Sequence, residues 1–150
     1  MSDSSRLPAR RGRAARTNPP NRYEPLHVEL DPEALDDDEL RRIETKYFVD
    51  PARTILAKND SPDVPFTYSL NPYRGCEHGC VYCYARPSHE WLGFSAGLDF
   101  ETRILVKKDA PRLLAETFQK PSWTPQVVAP SGNTDPYQPV ERALEITRGC

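Results

Sequence analysis

Cys76, Cys80 and Cys83 fall within the run Cys76-Glu-His-Gly-Cys80-Val-Tyr-Cys83, and the remaining cysteine, Cys150, stands at the far end of the sequence. Three thiols spaced C-x3-C-x2-C reach one centre only if the chain folds back on itself. Gly75 and Gly79 permit that wrap, because glycine accepts positive φ. A disulfide framework would spread an even set of cysteines along the chain. A metal held by three thiolates keeps a coordination position open, and open positions are where chemistry occurs. Structural zinc asks for a fourth protein ligand, for which His78, His89 and Cys150 are the candidates. A ferredoxin-type cluster also asks for four cysteines, in runs whose spacings this loop does not match. The other occupant of a three-thiolate site is a [4Fe-4S] cluster with one iron free to bind a small molecule.

A second constellation, Ser131-Gly-Asn-Thr-Asp-Pro-Tyr-Gln-Pro139 followed by Glu141-Arg142, continues the short apolar run Gln126-Val-Val-Ala129. Its hydroxyls, amide and carboxylate suit a polar small molecule. In the plainer reading Asp135 and Thr134 satisfy backbone donors of the loop and Glu141 caps the next helix. Taken together, Phe66 to Gly149 resembles the radical S-adenosylmethionine (SAM) branch related to spore photoproduct lyase, the DNA repair photolyase-like proteins. The resemblance lies in the C-x3-C-x2-C-Tyr loop and the SG-x-TDPYQP-x-E run. It implies that Cys76, Cys80 and Cys83 hold a [4Fe-4S] cluster whose free iron chelates the amino and carboxylate groups of SAM, with Tyr82 by the adenine. It further implies that Ser131, Gly132, Asn133, Thr134 and Asp135 occupy the place where many members carry a Gly-Gly-Glu motif for the SAM amino group. That motif is absent here in its usual form, so the correspondence is one of position. The implied activity is lyase-like: the reduced cluster, fed by a donor such as flavodoxin or ferredoxin, passes an electron to the SAM sulfonium. The resulting 5'-deoxyadenosyl radical abstracts a hydrogen, with DNA lesion repair as one candidate setting. Arg74, Arg86 and Arg148 are candidates for the SAM carboxylate or an anionic substrate, against their ordinary reading as surface charges.

The elements that must position these groups can be read from local pattern. Phe66 to Asn71 mixes aromatic and β-favouring residues and runs into Pro72, which predicts a first strand feeding the cysteine loop. Lys46 to Thr54 reads as extended or turn-like, and Lys58 to Pro65 as a turn-rich loop. Ser88 to Leu92 predicts one helical turn. Phe100 to Lys107 predicts a second extended segment with Phe100, Ile104 and Val106 on one face. Asp109 to Gln119 is the clearest helix, with Asp109 at the N-cap, Pro111 in the first turn, and Leu114 and Phe118 four apart. Gln126 to Ala129 predicts a short buried strand and Val140 to Thr147 a further helix. Strand, cysteine loop, helix and strand in that order make a βαβ-type unit with neighbouring parallel strands. Ligands gather at the carboxyl ends of such strands, so the two constellations are expected on one edge.

The pattern predicts an α/β fold, and the resemblance implies that it is the N-terminal portion of a radical SAM partial (β/α)6 barrel, behind a disordered basic arm. Its expected division is a disordered arginine-rich arm at 1–22, an acidic, partly helical linker at 23–65, and the start of an incomplete core at 66–150. Sixteen prolines and a mean hydropathy of -0.71 agree with long irregular segments around a limited core. Only two strand-helix units are counted, which predicts a fragment with little turnover of its own. The arm, with Arg6, Arg10, Arg11, Arg13, Arg16 and Arg22, offers no thiolate and no apolar face. It is expected to be dispensable for a metal site, and is either a solvated tail or a contact for nucleic-acid phosphates. The acidic stretch 24–44, densest at Asp36-Asp37-Asp38-Glu39, predicts a short helix ending near Tyr47. No apolar run approaches the ~20 residues of a membrane span and no secretory stretch opens the chain, so no membrane partner is expected. Clustered thiols suit a reducing compartment, and the expected location is cytoplasmic. The competing reading is a zinc-stabilised nucleic-acid-binding module without catalysis, holding its metal by the three clustered cysteines with His78 or His89.

Overall fold

The structure is a computed structural model and describes residues 12–15, 17–23 and 44–150. Its strands are β1 (Lys46–Val49), β2 (Leu56–Lys58), β3 (Tyr68–Leu70), β4 (Tyr73–Arg74), β5 (Arg103–Val106) and β6 (Val128–Pro130). Its helices are α1 (Leu98–Thr102), α2 (Ala110–Phe118), α3 (Glu141–Leu144) and α4 (Ile146–Gly149), and a 3₁₀ segment covers Arg86–Leu92. Among the described residues the strands form two three-stranded sheets, ordered β1-β5-β4 and β2-β3-β6. In each, the central strand has one parallel and one antiparallel neighbour: β1 and β4 flank β5, and β6 and β2 flank β3. The class is mixed α/β, built from small sheets and short helices.

Asn71 and Pro72 carry the chain from one sheet to the other. Proline has no N–H to give a ladder, and Pro72 serves only as an acceptor, its carbonyl taking the Lys107 amide at 2.9 Å. Ile55, Leu70, Tyr73, Ile104, Val106, Ala110, Leu114, Val140 and Ile146 pack into one buried cluster. That cluster joins side chains of both sheets to α2 and α4. Each such large side chain contributes about 1.5–3 kcal/mol by leaving water, so the crossing at Asn71-Pro72 is held by packing on either side. A smaller cluster of Cys76, Ala85 and Phe100, with Cys83 against it, lies directly under the cysteine loop.

The parallel neighbour expected for the strand before the loop is present: Tyr68, Ser69 and Leu70 pair with Val128, Ala129 and Pro130. Helix α2 falls where expected. Asp109 stands at its N-cap position without a side-chain capping bond, and Phe118, 45% exposed, packs on Trp123 at 5.1 Å rather than entering the core.

Other expectations are corrected. Phe66 to Asn71 does not supply the first strand, because β1 and β2 precede it and β1 pairs along its length with β5. The core thus begins well before residue 66, and the Lys-Tyr-Phe-Val run at β1 is strand by its aromatic and β-branched content. Residues 24–43 of the acidic stretch lie outside the described residues, and Tyr47 sits in a strand rather than at a helix end. Phe100 to Lys107 is divided: α1 covers its start and β5 the rest. The final helix is broken at Glu145, whose φ of 49° ends α3 before α4 begins. Of the arm expected to be disordered over 1–22, residues 1–11 and 16 lie outside the described residues, while 12–15 and 17–22 contact the core: Arg13, Ala15, Asn21 and Arg22 donate to its carbonyls and carboxylates, and Asn18 Oδ1 accepts the Asp99 amide.

Candidate functional site

The chain enters the site from β4 through Gly75, whose φ of 80° turns it under α1. The Cys76 amide then donates to the Phe100 carbonyl at 2.9 Å. A side chain at Gly75 would meet that carbonyl at 2.9 Å and the His89 ring at 3.0 Å, so the position needs glycine for space as well as for φ. Beyond it the loop winds in successive turns. The carbonyls of Cys76, Cys80 and Cys83 accept from the amides of Gly79, Cys83 and Arg86 at 3.2, 3.2 and 3.4 Å. Each turn opens on a cysteine, which is what spacings of four and three produce in a tightly coiled segment.

Hydrogen bonds tie this loop to the second constellation. Thr134 Oγ1 donates to the Gly75 carbonyl at 2.7 Å, and Gln138 Nε2 reaches the same carbonyl at 3.3 Å. Gln138 Oε1 accepts from the Glu77 amide at 3.1 Å, and the Glu77 carboxylate accepts from Val140 N at 2.9 Å and from the Tyr47 hydroxyl at 2.9 Å. His78 Nε2 lies 3.3 Å from Asp135 Oδ2, and the Tyr84 hydroxyl donates to the Gly132 carbonyl. The two motifs thus meet as expected, although the cysteine loop leaves β4 of one sheet and the second loop leaves β6 of the other, rather than both leaving neighbouring parallel strands. Ser131 continues the β3-β6 ladder, its amide on the Leu70 carbonyl at 2.8 Å, and holds a φ of 88° that a non-glycine residue adopts only under local constraint.

The three clustered thiols differ in setting. Cys76 is buried, Cys83 half-buried and Cys80 exposed, and none is in a disulfide. Burial pushes the Cys76 thiol up, the main-chain amides of Asp135 and His78 work the other way, and the negative charges of Asp135 and Cys83 add to the rise. A cation beside these sulfurs would reverse that mutual repulsion. Among the described residues, no three His, Cys, Asp or Glu side chains stand close enough to hold a metal as they are. The donor set nonetheless fits a group held by three thiolates: the thiols are free and they follow one another on a wound loop.

The remaining candidates have more varied settings. Asp135 joins the motifs through Oδ2, on His78, while its Oδ1 accepts Tyr137 N at 2.7 Å within its own loop. Thr134 and Asn133 are engaged in holding the loop, the latter by its amide on Asn71 Oδ1 at 2.9 Å. Tyr82 is 86% exposed. His89 is fully buried, its Nε2 on the Arg103 carbonyl at 2.9 Å and its ring against Phe94 and Phe100. Burial lowers its pKa to about 4. Glu141 does cap the start of α4, accepting Thr147 N and Arg148 N at 3.0 Å each, and it also takes the Tyr73 hydroxyl. Burial pushes its carboxyl up, but these donors outweigh it and leave the pKa below the ordinary value. Cys150 lies by Glu141; partial burial and that charge raise its pKa.

Of the three arginines considered, Arg74 pairs with Asp50 at 2.9 Å and Arg148 with Glu145 at 3.3 Å. Arg86 is no surface charge. It donates to the carbonyls of Cys80, Gly79, Ala96 and Gly97 at 3.0, 2.7, 3.3 and 3.1 Å, and to Glu101 Oε1 at 2.6 Å. Sequence reasoning missed Glu77, Gln138 and Glu101 as members of the site. The signal available for the first two was their position inside the motifs; for Glu101 there was none.

No family model and no solved structure matches the chain. It is similar to uncharacterized proteins of Mycobacterium tuberculosis and Mycobacterium bovis, each 49% identical over 86 residues. The match takes in 57% of this chain and 25% of the relative. An uncharacterized protein of Methanocaldococcus jannaschii is 27% identical over 110 residues, 73% of this chain and 36% of that protein. The chain therefore spans about a quarter of the length of the mycobacterial relatives it matches and about a third of the archaeal one.

Proposed function

We propose that the chain carries the cofactor-binding part of a radical SAM iron-sulfur enzyme, at the opening of a partial (β/α)6 barrel. The observation that supports this most is the joining of the C-x3-C-x2-C loop to the SG-x-TDPYQP-x-E run through Gly75, Glu77, His78 and Tyr84. Cys76, Cys80 and Cys83 would hold a [4Fe-4S] cluster. That cluster, when bound and reduced by a donor such as a flavodoxin or ferredoxin, supplies the electron that cleaves SAM reductively.

The chain's own residues set the frame. Thr134 and Gln138 fix the Gly75 carbonyl and so the height of Cys76. Glu77 pins the loop to Val140 and Tyr47, and Arg86 gathers the carbonyls around Cys80. The run from Ser131 to Asp135 is tied to the cysteine loop by Thr134 on the Gly75 carbonyl, Asp135 on His78 and Gly132 on Tyr84, which supports a role for its polar groups toward a ligand there. Tyr82, exposed at the rim, offers an aromatic face to an adenine.

Anaerobic reconstitution followed by iron, sulfide and zinc analysis tests the reading, with SAM added to follow perturbation of the visible spectrum. Iron and sulfide in equal amounts and a SAM-dependent spectral change are expected. Stoichiometric zinc with no SAM response would overturn the proposal in favour of a zinc-stabilised module.

A further inference from the structure

We propose that residues 12–15 and 17–23 are a working part of the cysteine site, with Arg13 as a positioning residue that keeps the loop closed over Cys76. The inference rests on the proposed function for what the loop holds, but its geometry stands on its own. The arm at 1–22 was expected to be dispensable for a metal site; the contacts of its described residues argue for the opposite.

The buried charge at the centre of the arrangement is Glu101, which has no exposure to solvent. Its carboxylate takes the amides of Ala14 and Ala15 at 3.2 and 2.7 Å and the Arg86 guanidinium at 2.6 Å. Two of those three donors thus come from the N-terminal segment. Arg13 Nη1 donates to the Glu101 carbonyl at 2.7 Å, while Nη2 reaches Thr45 Oγ1 at 3.1 Å and Glu77 Oε1 at 3.4 Å. Glu77 is the next residue after Cys76, and Arg86 holds the carbonyls of Gly79 and Cys80. Charge-assisted bonds therefore run without a break from the segment through Glu101 and Arg86 to the cysteine turns. A buried carboxylate stripped of two donors is poorly compensated, and the loop resting on it loosens.

The seat is shaped for close approach. A methyl at Gly79 would come within 2.8 Å of Arg13 Cβ, and one at Gly97 within 2.2 Å of the Thr17 carbonyl. Farther along, Asn21 Nδ2 donates to the carbonyls of Glu90 and Phe94 at 3.0 and 3.2 Å, and Arg22 pairs with Glu90 at 2.5 Å. Arg13 and Arg22 are thereby engaged with the chain's own carboxylates rather than presented to a polyanion.

The test uses the metal-free full chain and compares alkylation of buried Cys76 by iodoacetamide in the parent, Arg13→Ala, Arg13→Lys and Gly97→Ala. Loss of a charge-assisted bond predicts about tenfold faster alkylation of Cys76 in Arg13→Ala. Arg13→Lys is expected to restore part of the protection, and Gly97→Ala to lose it by wedging the segment away. Exchange of the β5 amides should stay unchanged, which separates local opening from global unfolding. In chains reconstituted with iron and sulfide, the Arg13→Ala chain should lose iron to a chelator about tenfold faster. Cys76 rates within twofold of the parent in both Arg13→Ala and Gly97→Ala, or β5 exchange accelerated as much as the loop, would overturn the inference. A parent chain that takes up no iron would count against the proposed function, while Cys76 alkylation still decides the role of Arg13.

Discussion

The floor of the cysteine site and its rim are built on opposite terms. In the floor, Gly75, Cys76, Glu77, Thr134 and Gln138 are buried, and their carbonyls, amides and side chains bond to one another across the two motifs. At the rim, Cys80, Val81, Tyr82, Tyr84 and Tyr137 are exposed, with Tyr84 alone tied across to the second loop. A buried polar network is stabilising only when its members are satisfied, so the floor is fixed by the polypeptide itself. At the rim the backbone is held, by Arg86 on the Gly79 and Cys80 carbonyls, but the exposed side chains are free to follow whatever occupies the site. The difference teaches that Cys76 is pre-positioned by the fold, Cys83 is half-settled against the same small cluster, and Cys80 is presented on an exposed turn.

The largest expected effects fall on the floor. Glu77→Ala leaves the Val140 amide and the Tyr47 hydroxyl without their acceptor and should cost about 3 kcal/mol, read as a fall in the urea midpoint. Gly75→Ala should cost a similar amount, about 3 kcal/mol, because its methyl meets the Phe100 carbonyl, which belongs to a helix and cannot turn aside. Should either variant keep the parent's midpoint, the floor is not pre-formed.

His89, under the floor, gives a pH-dependent version of the same test. Its folded pKa of about 4 lies below the ordinary value of 6.5, so between them the unfolded chain binds more protons and stability rises with pH. The contribution, about 3 kcal/mol, is complete above 6.5, falls as pH drops below that, and is gone once pH passes through about 4. Unfolding midpoints across that window should show the slope in the parent and lose it in His89→Gln. A parent with a flat profile would mean the ring is not buried as described.

The smallest effects belong to the rim. Tyr82→Ser should change stability by less than about 0.5 kcal/mol, since the side chain is almost fully exposed. On the proposed reading it should weaken SAM binding all the same, and equal SAM affinity in the two chains would remove Tyr82 from the site.

What was legible in the sequence was chiefly local. The wound cysteine loop could be read from glycine placement and thiol spacing; the meeting of the two motifs could be read too, but not which strands lead into them. The break at Glu145 was not legible, because it depends on a left-handed residue that no glycine or asparagine announces. Lys46 to Thr54 was legible as extended, but not as a paired strand, because the partner of β1, β5, lies more than fifty residues on. Arg86 and Glu101 were unreadable for a related reason. A buried ion pair looks like two surface charges until the fold supplies the walls.

The central claim is that Cys76, Cys80 and Cys83 hold one group together and Cys150 stands outside it. Iron and sulfide retained after anaerobic reconstitution and desalting, measured in the four single Cys→Ala variants, tests it most directly. The account predicts near-complete loss for Cys76→Ala, Cys80→Ala and Cys83→Ala and parent-like retention for Cys150→Ala, because each loop thiolate would ligate a different iron. Loss of iron from Cys150→Ala as complete as from Cys80→Ala would contradict it and require a four-cysteine site.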